Sequence, residues 1–398
     1  MRRAAIVSPV RTPVGAFGGA LRDVPVETLG SVVTKAVLER TGLDPARIED
    51  VTFAQSYANS ETPCVGRWIA LEAGLPIEVP GLQTDRRCGG GLQAIATAAM
   101  MVQTGACDVV LAGGVESMSR IEFYTTDMRW GRRSGTTHLY DRLDRGRERS
   151  QPVGRFGHIS GMIETAETLA REYAVSREEA DLFASESHRR AASAWDEGLF
   201  LAEVVPVPVP QKKGDAILFS RDEGVRADTT VESLAKLRPI LKGGAVTAGN
   251  AAQQNDAAAA CLIVAEDKLA ELRLEPIAFL VGWTAVGCDP ARMGLGPVGA
   301  VAKVFERTRL TFDDMGLVEL NEAFAAQVLA VLKAWKWDDR SKLNVNGSGI
   351  SLGHPIGATG ARIMTTLTHE MRRRNVRYAL ETMCIGGGQG MAAIFEKA

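Results

Sequence analysis

The feature that most constrains the fold is one order of elements that occurs twice in the chain. A glycine-rich turn, a helix, an apolar strand and a glycine pair follow one another over residues 88–114, and the same order recurs over residues 353–388. Strands that are apolar throughout are typical of sheets that helices cover on both faces. The repeat therefore predicts two similar α/β halves that pack together, with their glycine-rich ends meeting at one site.

The composition excludes several classes of protein. The 398 residues are 45% hydrophobic and 24% charged, and the formal net charge is -2. This near-neutral balance disfavours a nucleic-acid protein, whose binding surface is normally basic. No apolar run approaches the ~18 residues that a membrane span requires, and the N-terminal residues lack an h-region and a cleavage site. We therefore expect a cytoplasmic protein with no membrane span and no nucleic-acid partner.

The cysteines give no sign of a metal site. Six of them are widely scattered and form no CxxC pair. Such spacing fits neither a zinc cage nor a disulfide framework. We predict free thiols in a reducing compartment, and no bound metal.

The stretch between the two halves has a different character. Residues 129–155 contain eight arginines and few apolar positions, which predicts a loop with a solvated face rather than a phosphate site. Two amphipathic helices follow, and a capping box beginning at Ser176 opens the second. We therefore divide the chain into an N-terminal half over 1–117, an inserted loop or cap domain over 118–247, and a C-terminal half over 248–398.

Cys88 lies at the entrance of an alanine-rich helix and is followed by three glycines. Each glycine inside a helix costs about 1 kcal/mol relative to alanine, so we infer that bare backbone is needed there. A thiol at a helix N-terminus has its pKa lowered by the helix dipole and by a neighbouring imidazole. The alternative, a buried cysteine in a tight turn, stays open on this stretch alone.

Three further segments contain candidate residues. His354 lies in a glycine-dense turn, although a lone histidine is more often structural. Cys384 ends an apolar strand, and Gly386–Gly388 leave backbone N–H groups free to face a ligand. Asn321 and Glu322 lie between a strand and a helix, where they could simply cap the helix. Together, two thiols, an imidazole and glycine amides suit acyl transfer through a thioester, with a proton moved to or from carbon.

Over essentially its whole length the chain resembles the thiolases, a family of acyl-CoA C-acyltransferases. Four segments carry the resemblance in the family's order and spacing: DRRCGGGLQA, NEAFA, NVNGSGISLGHPIGATGAR and CIGGGQG. The stretches VRTPVGAFGGAL and AVTAGN also match. The resemblance implies the five-layered αβαβα thiolase fold, two similar halves with an inserted loop domain, in a homodimer or a homotetramer built from two dimers.

The resemblance also implies a catalytic role for each matched residue. Cys88 would be the nucleophile that carries the acyl group, and His354 would activate it and help bind a thioester oxygen. Cys384 would move the proton at the substrate α-carbon. Asn321 would hold a water in one oxyanion hole, while the backbone N–H groups of Cys88 and Gly386 would form the other.

Coenzyme A is implied as a co-substrate, with no tightly bound cofactor. The residues at the family's CoA-contacting and acyl-pocket positions are Arg226, Ser233, Ala248, Ala323, Phe324, Met162 and Met293.

Two positions depart from the family pattern. Ala252 replaces a serine that touches pantetheine, so that contact is lost or taken over by Gln253. Gly161 replaces a histidine that is common in short-chain enzymes, which favours a longer or bulkier acyl chain.

The predicted reaction is the cleavage of a 3-ketoacyl-CoA by CoA into acetyl-CoA and a shortened acyl-CoA, as in fatty acid β-oxidation, or the reverse Claisen condensation. Both directions would pass through an S-acyl-cysteine. One alternative is a thiolase restricted to acetoacetyl-CoA. A remote alternative is a CoA-binding or thiol-redox protein that uses this scaffold without catalysis.

Overall fold

The computed structural model describes residues 2–159 and 161–398. The strands are β1 (Ala4–Arg11), β2 (Gly15–Ala16), β3 (Asp50–Ala54), β4 (Gly81–Thr84), β5 (Val109–Ser117), β6 (Phe123–Tyr124), β7 (Tyr140–Asp141), β8 (Val207–Val209), β9 (Ile217–Phe219), β10 (Asn255–Ala265), β11 (Pro276–Gly287), β12 (Met315–Leu320), β13 (Tyr378–Ile385) and β14 (Gln389–Lys397). The α-helices are α1 (Val26–Thr41), α2 (Val65–Glu72), α3 (Gly90–Thr104), α4 (Arg142–Glu148), α5 (Val153–Phe156), α6 (Met162–Glu172), α7 (Arg177–Asp196), α8 (Val231–Ala235), α9 (Leu269–Leu272), α10 (Gly296–Thr308), α11 (Ala325–Trp335), α12 (Gly349–Leu352) and α13 (Thr359–Arg374).

The main sheet has the order β4-β3-β5-β10-β1-β11-β14-β13-β12, with β2 paired to β10. In one half, β1 is antiparallel to β10, β10 is antiparallel to β5, and β5 is parallel to β3. In the other half, β11, β14, β13 and β12 repeat the same series of directions. The repeated order of elements in the sequence is thus a repeated topology, and the pairing of β1 with β11 joins the halves.

Three apolar cores separate the helices and strands into five layers. The central core packs α3 and α13 between the two sets of strands and contains Ile95 and Met364. A second core packs α1 and α2 on the outer face of β3, β5 and β10. A third packs α10 and α11 on the outer face of β12, β13 and β14. Neighbouring residues of β5, Leu111 and Ala112, belong to different cores because side chains alternate along a strand. The predicted five-layered α/β fold is confirmed.

Small residues bring the N-termini of α3 and α13 into backbone contact. A Cβ added at Gly91 would lie 2.6 Å from the backbone nitrogen of Ala361, so only glycine permits this approach. Cys88 precedes one of these helices and His354 precedes the other. The close crossing therefore brings the two predicted catalytic turns together.

The segment between the halves is more ordered than we predicted. Residues 142–148 form α4 within the stretch predicted as a loop, because Asp141 Oδ1 accepts from the Leu143 backbone N–H at 2.8 Å and Leu143 is buried against Tyr57 and Met118. The capping box that opens α7 is present, as predicted. The proline-rich strand β8 pairs with β9 in a separate two-stranded sheet, and its valines pack in the second core.

The three-part division of the chain stays a prediction. β10 falls within the predicted C-terminal segment, yet it pairs with β1 and β5 of the N-terminal segment. In the part of the chain that the structure describes, no helix is long and apolar enough to cross a membrane.

Candidate active site

Cys88 lies on a single turn of 3-10 helix, Arg87–Gly89, immediately before α3. Arg87 has a φ of 45°, in the left-handed region that non-glycine residues seldom adopt. The Asp85 carboxylate accepts from the Arg87 backbone N–H at 2.7 Å and so holds this conformation. Backbone strain of this kind, of order 1–3 kcal/mol, is concentrated at functional sites. Here it turns the thiol toward the opposite half of the molecule.

The prediction that the Cys88 pKa is lowered is wrong. Burial raises the pKa of the Cys88 thiol, although the backbone N–H of Gly386 and the charge of Arg87 act in the opposite direction. The sequence-based argument considered the helix terminus, whereas desolvation by the surrounding residues is the larger effect. The resting nucleophile is therefore a thiol, which needs a base to remove its proton.

His354 is the nearby group that can act as that base. Its backbone N–H donates to Asn255 Oδ1 at 2.8 Å, and its Nδ1 lies 2.7 Å from Thr359 Oγ1. Thr359 Oγ1 in turn donates to the Pro355 carbonyl oxygen at 3.0 Å. A Thr359 hydroxyl that donates to Pro355 can only accept from Nδ1–H, which leaves Nε2 of the imidazole unprotonated.

The charge state of His354 also suits a base. Burial, together with the positive charge of Arg362, lowers the pKa of His354 to about 3. The imidazole is therefore neutral throughout the physiological range of pH.

Asn321 lies beside this histidine, at the end of β12. Its Nδ2 is 3.4 Å from His354 Nδ1, which is long for a hydrogen bond, so the closer Thr359 decides the tautomer. Asn321 Oδ1 is buried and makes no hydrogen bond to any described residue. A buried amide oxygen in this state is suited to hold a ligand or a water.

Glu322 does not face the reacting groups. Its carboxylate accepts from Ser187 Oγ at 2.6 Å, from Asn344 Nδ2 at 2.9 Å and from the Ile350 backbone N–H at 3.2 Å. These contacts tie the strand–helix junction to α7 and α12. Glu322 therefore organises the segment from the side opposite Asn321.

Cys384 is buried near the end of β13 and belongs to an apolar cluster of six buried side chains. These are Ala166, Val246, Met293, Ala323, Phe324 and Cys384, and the partly exposed Met162 packs against them. Burial raises the pKa of the Cys384 thiol well above its ordinary value, and the thiols of Cys88 and Cys288 act in the same direction. Four of the predicted acyl-pocket residues thus surround the second thiol.

The three residues predicted to contact CoA outside this cluster are all exposed. The Arg226 backbone N–H donates to Nδ1 of the buried His188 at 3.2 Å, which leaves the guanidinium directed away from the core. The Ser233 hydroxyl takes part in the capping box of α8, together with Thr230. Ala248 lies on the loop that follows α8. Their contact with CoA stays a prediction.

Near Ala252, the side chain of Gln253 is placed where it can partly replace the serine that is missing from the family pattern. The Gln253 side chain donates to the Gly224 carbonyl oxygen at 3.4 Å and so reaches the loop that leads to Arg226. The Ala252 backbone N–H donates to the Ala323 carbonyl oxygen at 2.9 Å. Gln253 therefore links the apolar cluster to the predicted CoA side, where its amide can also meet a ligand.

The sequence reasoning missed a set of buried charges behind His354. Arg362 on α13, Glu319 on β12 and Glu381 on β13 are all nearly inaccessible. The signal was available, because each glutamate interrupts an otherwise apolar strand in VELNE and ALETM. In the described part of the chain, no group of three or more His, Cys, Asp or Glu side chains is placed to hold a metal ion.

Two thiols and a neutral imidazole, gathered at the glycine turns of a duplicated α/β fold, define an acyltransferase that works through a cysteine thioester. Residues 4–267 match the family described as "Thiolase, N-terminal domain", and residues 274–397 match "Thiolase, C-terminal domain". The chain therefore belongs to the thiolase family, as the sequence resemblance indicated.

Individual relatives agree with this assignment. The chain is 43% identical over 394 residues to an acetyl-CoA acetyltransferase of Chromobacterium violaceum, with 99% of each chain covered. It is 42% identical over 398 residues to a probable acetyl-CoA acyltransferase of Staphylococcus aureus, with 100% of each chain covered.

Solved structures give the same result. The Bacillus anthracis acetyl-CoA acetyltransferase superposes with a TM-score of 0.96 at 41% identity, covering 100% of this chain and 99% of that chain. Human mitochondrial 3-ketoacyl-CoA thiolase in complex with CoA superposes with a TM-score of 0.93 at 38% identity, covering 100% of this chain and 98% of that chain. The chain is an acyltransferase of this family.

Proposed function

We propose that this thiolase cleaves 3-ketoacyl-CoA with CoA, and runs the reverse condensation, through an acyl group on Cys88. The observation that carries the proposal is the direction of the Gly386 backbone N–H, which points at the Cys88 thiol. When the sulfur attacks a carbonyl carbon, negative charge develops on the carbonyl oxygen close to that sulfur. A hydrogen-bond donor in this place can stabilise that charge. The Cys88 backbone N–H supplies a second donor at the same sulfur.

In the cleavage direction, His354 Nε2 takes the proton of Cys88 and the thiolate attacks the 3-keto carbon. The carbon–carbon bond then breaks, and the electron pair leaves on the α-carbon of acetyl-CoA as an enolate. His354 and a water held by Asn321 bind the enolate oxygen. Because its pKa is raised, Cys384 is protonated at rest and can give its proton to that carbon. After acetyl-CoA leaves, the Cys384 thiolate takes the proton of the CoA thiol, and the CoA sulfur attacks acyl-Cys88. The Cys88 thiolate departs, the shortened acyl-CoA is released, and His354 returns its proton to Cys88.

The proposed CoA site lies on the exposed side formed by Arg226, Ser233 and Ala248. An exposed guanidinium suits the phosphate groups of CoA, and the pantetheine would pass Gln253 to reach Cys88. The solved complex of the human relative with CoA supports a CoA-binding site on this fold.

The proposed acyl chain contacts the cluster around Met162 and Met293. Methionine side chains adapt to irregular shapes, and Gly161 adds no side chain at the entrance. These features favour substrates longer than acetoacetyl-CoA. The second candidate, an enzyme restricted to acetoacetyl-CoA, is favoured by the names of the Chromobacterium violaceum and Bacillus anthracis relatives.

Thiolysis measured over 3-ketoacyl-CoA substrates of increasing length separates the two. We expect kcat/KM to rise beyond the four-carbon substrate. The variant Gly161→His is the matched test, because among the described residues a Cβ there would approach Glu164 Oε2 at 3.2 Å, the end of a flexible side chain, so the chain should still fold. It should lower kcat/KM for long substrates while sparing acetoacetyl-CoA. Activity confined to acetoacetyl-CoA would establish the second candidate.

The same assay addresses the non-catalytic alternative. Mixing the protein with acetoacetyl-CoA and CoA should cause the enolate absorbance to disappear, and the Cys88→Ala variant should abolish that loss. A protein that binds CoA without this loss would be a binding protein on the scaffold.

A further inference from the structure

Three buried titratable side chains near the loop of His354 take no part in the proposed chemistry. Glu319 and Glu381 are register partners on the parallel strands β12 and β13. Their neighbours at alternate positions, Leu317 and Ala379, belong to the central core, so both carboxyl groups point toward the layer that contains α13. Arg362 of α13 is fully buried in that layer.

Arg362 is linked directly to the loop that carries the histidine. Its Nη2 donates to the carbonyl oxygen of Gly353 at 3.2 Å, and Gly353 immediately precedes His354. Gly353 has a φ of 105°, a conformation that residues with a side chain rarely adopt. A donor on this carbonyl therefore fixes the orientation of an otherwise permissive peptide.

The other guanidinium nitrogens of Arg362 make no hydrogen bond to the two glutamates. Arg362 Nε and Nη1, both oxygens of Glu381 and Glu319 Oε2 make no hydrogen bond to any described residue. Burial raises the pKa of both carboxyl groups, and the positive charge of Arg362 acts in the opposite direction. Burying a cation is expensive, so the hydrogen bond from Nη2 to the Gly353 carbonyl oxygen is important for holding Arg362 in this place.

A second group of buried ion pairs lies next to Arg362, and its members contact one another. Arg11 donates to Glu203 at 2.6 Å and to Asp222 at 2.7 Å. The charged and titratable groups that face Arg362 from the elements packed around it are thus Glu319, Glu381, Arg11, Glu203, Asp222 and the neutral His354. Among them, Glu319 and Glu381 have no partner cation other than Arg362.

We propose that Arg362 is a positioning residue for His354: its hydrogen bond to the Gly353 carbonyl oxygen fixes the peptide that precedes the histidine. This inference rests on the proposed function, because it requires His354 to act on Cys88. Arg362 touches neither substrate nor the reacting atoms. Its contribution is the orientation of the imidazole.

The first test is the variant Arg362→Met, with Arg372→Met on the exposed side of the same helix as the control. We expect kcat for acetoacetyl-CoA thiolysis to fall at least about tenfold, a conservative share of the ~10² that a displacement of 1 Å can cost. KM should stay within about threefold, and alkylation of Cys88 by iodoacetamide should slow by a similar factor to kcat. Wild-type kcat in a folded Arg362→Met protein would overturn the proposal.

A second variant separates positioning from simple charge balance and serves where Arg362→Met alone does not fold. The triple variant Arg362→Met, Glu319→Gln, Glu381→Gln replaces all three buried titratable side chains. We expect its melting temperature to recover toward that of the wild type while kcat and the alkylation rate stay low. Recovery of both would show that Arg362 only neutralises the glutamates, and the proposal would be wrong.

The variant His354→Ala distinguishes this inference from the proposed function. If His354→Ala retains activity and rapid alkylation, the histidine has no catalytic role, and both the proposed function of His354 and the positioning role of Arg362 are wrong. If His354→Ala is inactive while Arg362→Met behaves as the wild type, only the positioning role fails.

Discussion

Gly386 directs its backbone N–H at the thiol of Cys88, although 298 positions separate the two residues in the sequence, counting from 88 to 386. Cys88 belongs to the turn before α3, and Gly386 belongs to the turn after β13. The proposed nucleophile of one half thus lies against the glycine turn of the other half. The duplicated topology creates the candidate site at the junction of its two copies.

Cys88 is expected to be the residue that carries the acyl group. Incubation with labelled acetyl-CoA, followed by peptide mapping, should place the label on Cys88. Label on Cys384 without label on Cys88 would reverse the assignment. Cys64, Cys107, Cys261 and Cys288 serve as controls, and replacing any one of them with alanine should leave turnover within a few-fold of the wild type.

Gly386→Ala should lower kcat at least about tenfold without unfolding the protein. A Cβ there would lie 3.4 Å from Met162 Sδ and 3.7 Å from Arg87 Cδ, so it displaces the N–H only slightly. Loss of one oxyanion donor costs about 10²–10³ in rate, and a displaced donor should cost less.

The neighbouring glycine provides the contrast to that variant. Gly387 has a φ of 88°, and its Cβ would meet the Ser150 carbonyl oxygen at 2.9 Å. Gly387→Ala should therefore lower the melting temperature, whereas Gly386→Ala should not. The opposite pattern in thermal unfolding would contradict our account of the turn.

Cys384→Ser should separate the two half-reactions. Transfer of an acyl group from acyl-CoA to Cys88 needs no proton from carbon, so this acylation should survive better than condensation. Both rates would be measured on one preparation, acylation by labelled acetyl-CoA and condensation by formation of acetoacetyl-CoA. Equal losses in both rates would rule out separate tasks for the two thiols.

Arg226→Ala should raise KM for CoA substrates and leave kcat nearly unchanged. The guanidinium is exposed, so we expect its contact to act on binding rather than on the chemical step. Arg221→Ala is the matched control, because Arg221 is exposed on the same segment and pairs with Asp196. A large loss of kcat at normal KM would show that Arg226 has another role.

The stability of the protein should decline as the pH rises from 4.5 to about 8 and should level off above that value. Burial raises the pKa of Glu319 to about 8, above its ordinary value of 4.5. The folded state therefore holds a proton that the unfolded state releases, so this contribution is complete below pH 4.5 and is lost as the pH rises through about 8.

Thermal unfolding from pH 6 to 9 checks the sign of that effect. Each pH unit between 4.5 and about 8 costs about 1.4 kcal/mol, which is about 3–6 °C in a domain of 150–250 residues and less in a larger one. Glu319→Gln cannot ionise, so its melting temperature should fall less over this range than that of the wild type. Parallel curves for the two proteins would show that Glu319 is not the responsible group.

The sequence by itself determined the order of the elements and the family to which the chain belongs. Apolar strands between glycine turns admit one kind of architecture, since their backbones must be buried on both faces. Reactive side chains in fixed local contexts, such as Cys88 before a helix and His354 before a proline, were likewise readable. The sequence could not show that residues 142–148 form a helix, because that depends on where Leu143 finds a buried place.

Only the tertiary structure decided the electrostatics of the site. Local reasoning predicted a lowered pKa for Cys88, but residues from the other half desolvate this thiol and raise its pKa. Arg362, Glu319 and Glu381 likewise form one group only after α13 packs on β12 and β13. The free energy of a charge depends on the dielectric and on the partners within a few ångströms in space. Neighbours in sequence reveal neither the dielectric nor these partners, so the charge states depend on the tertiary structure.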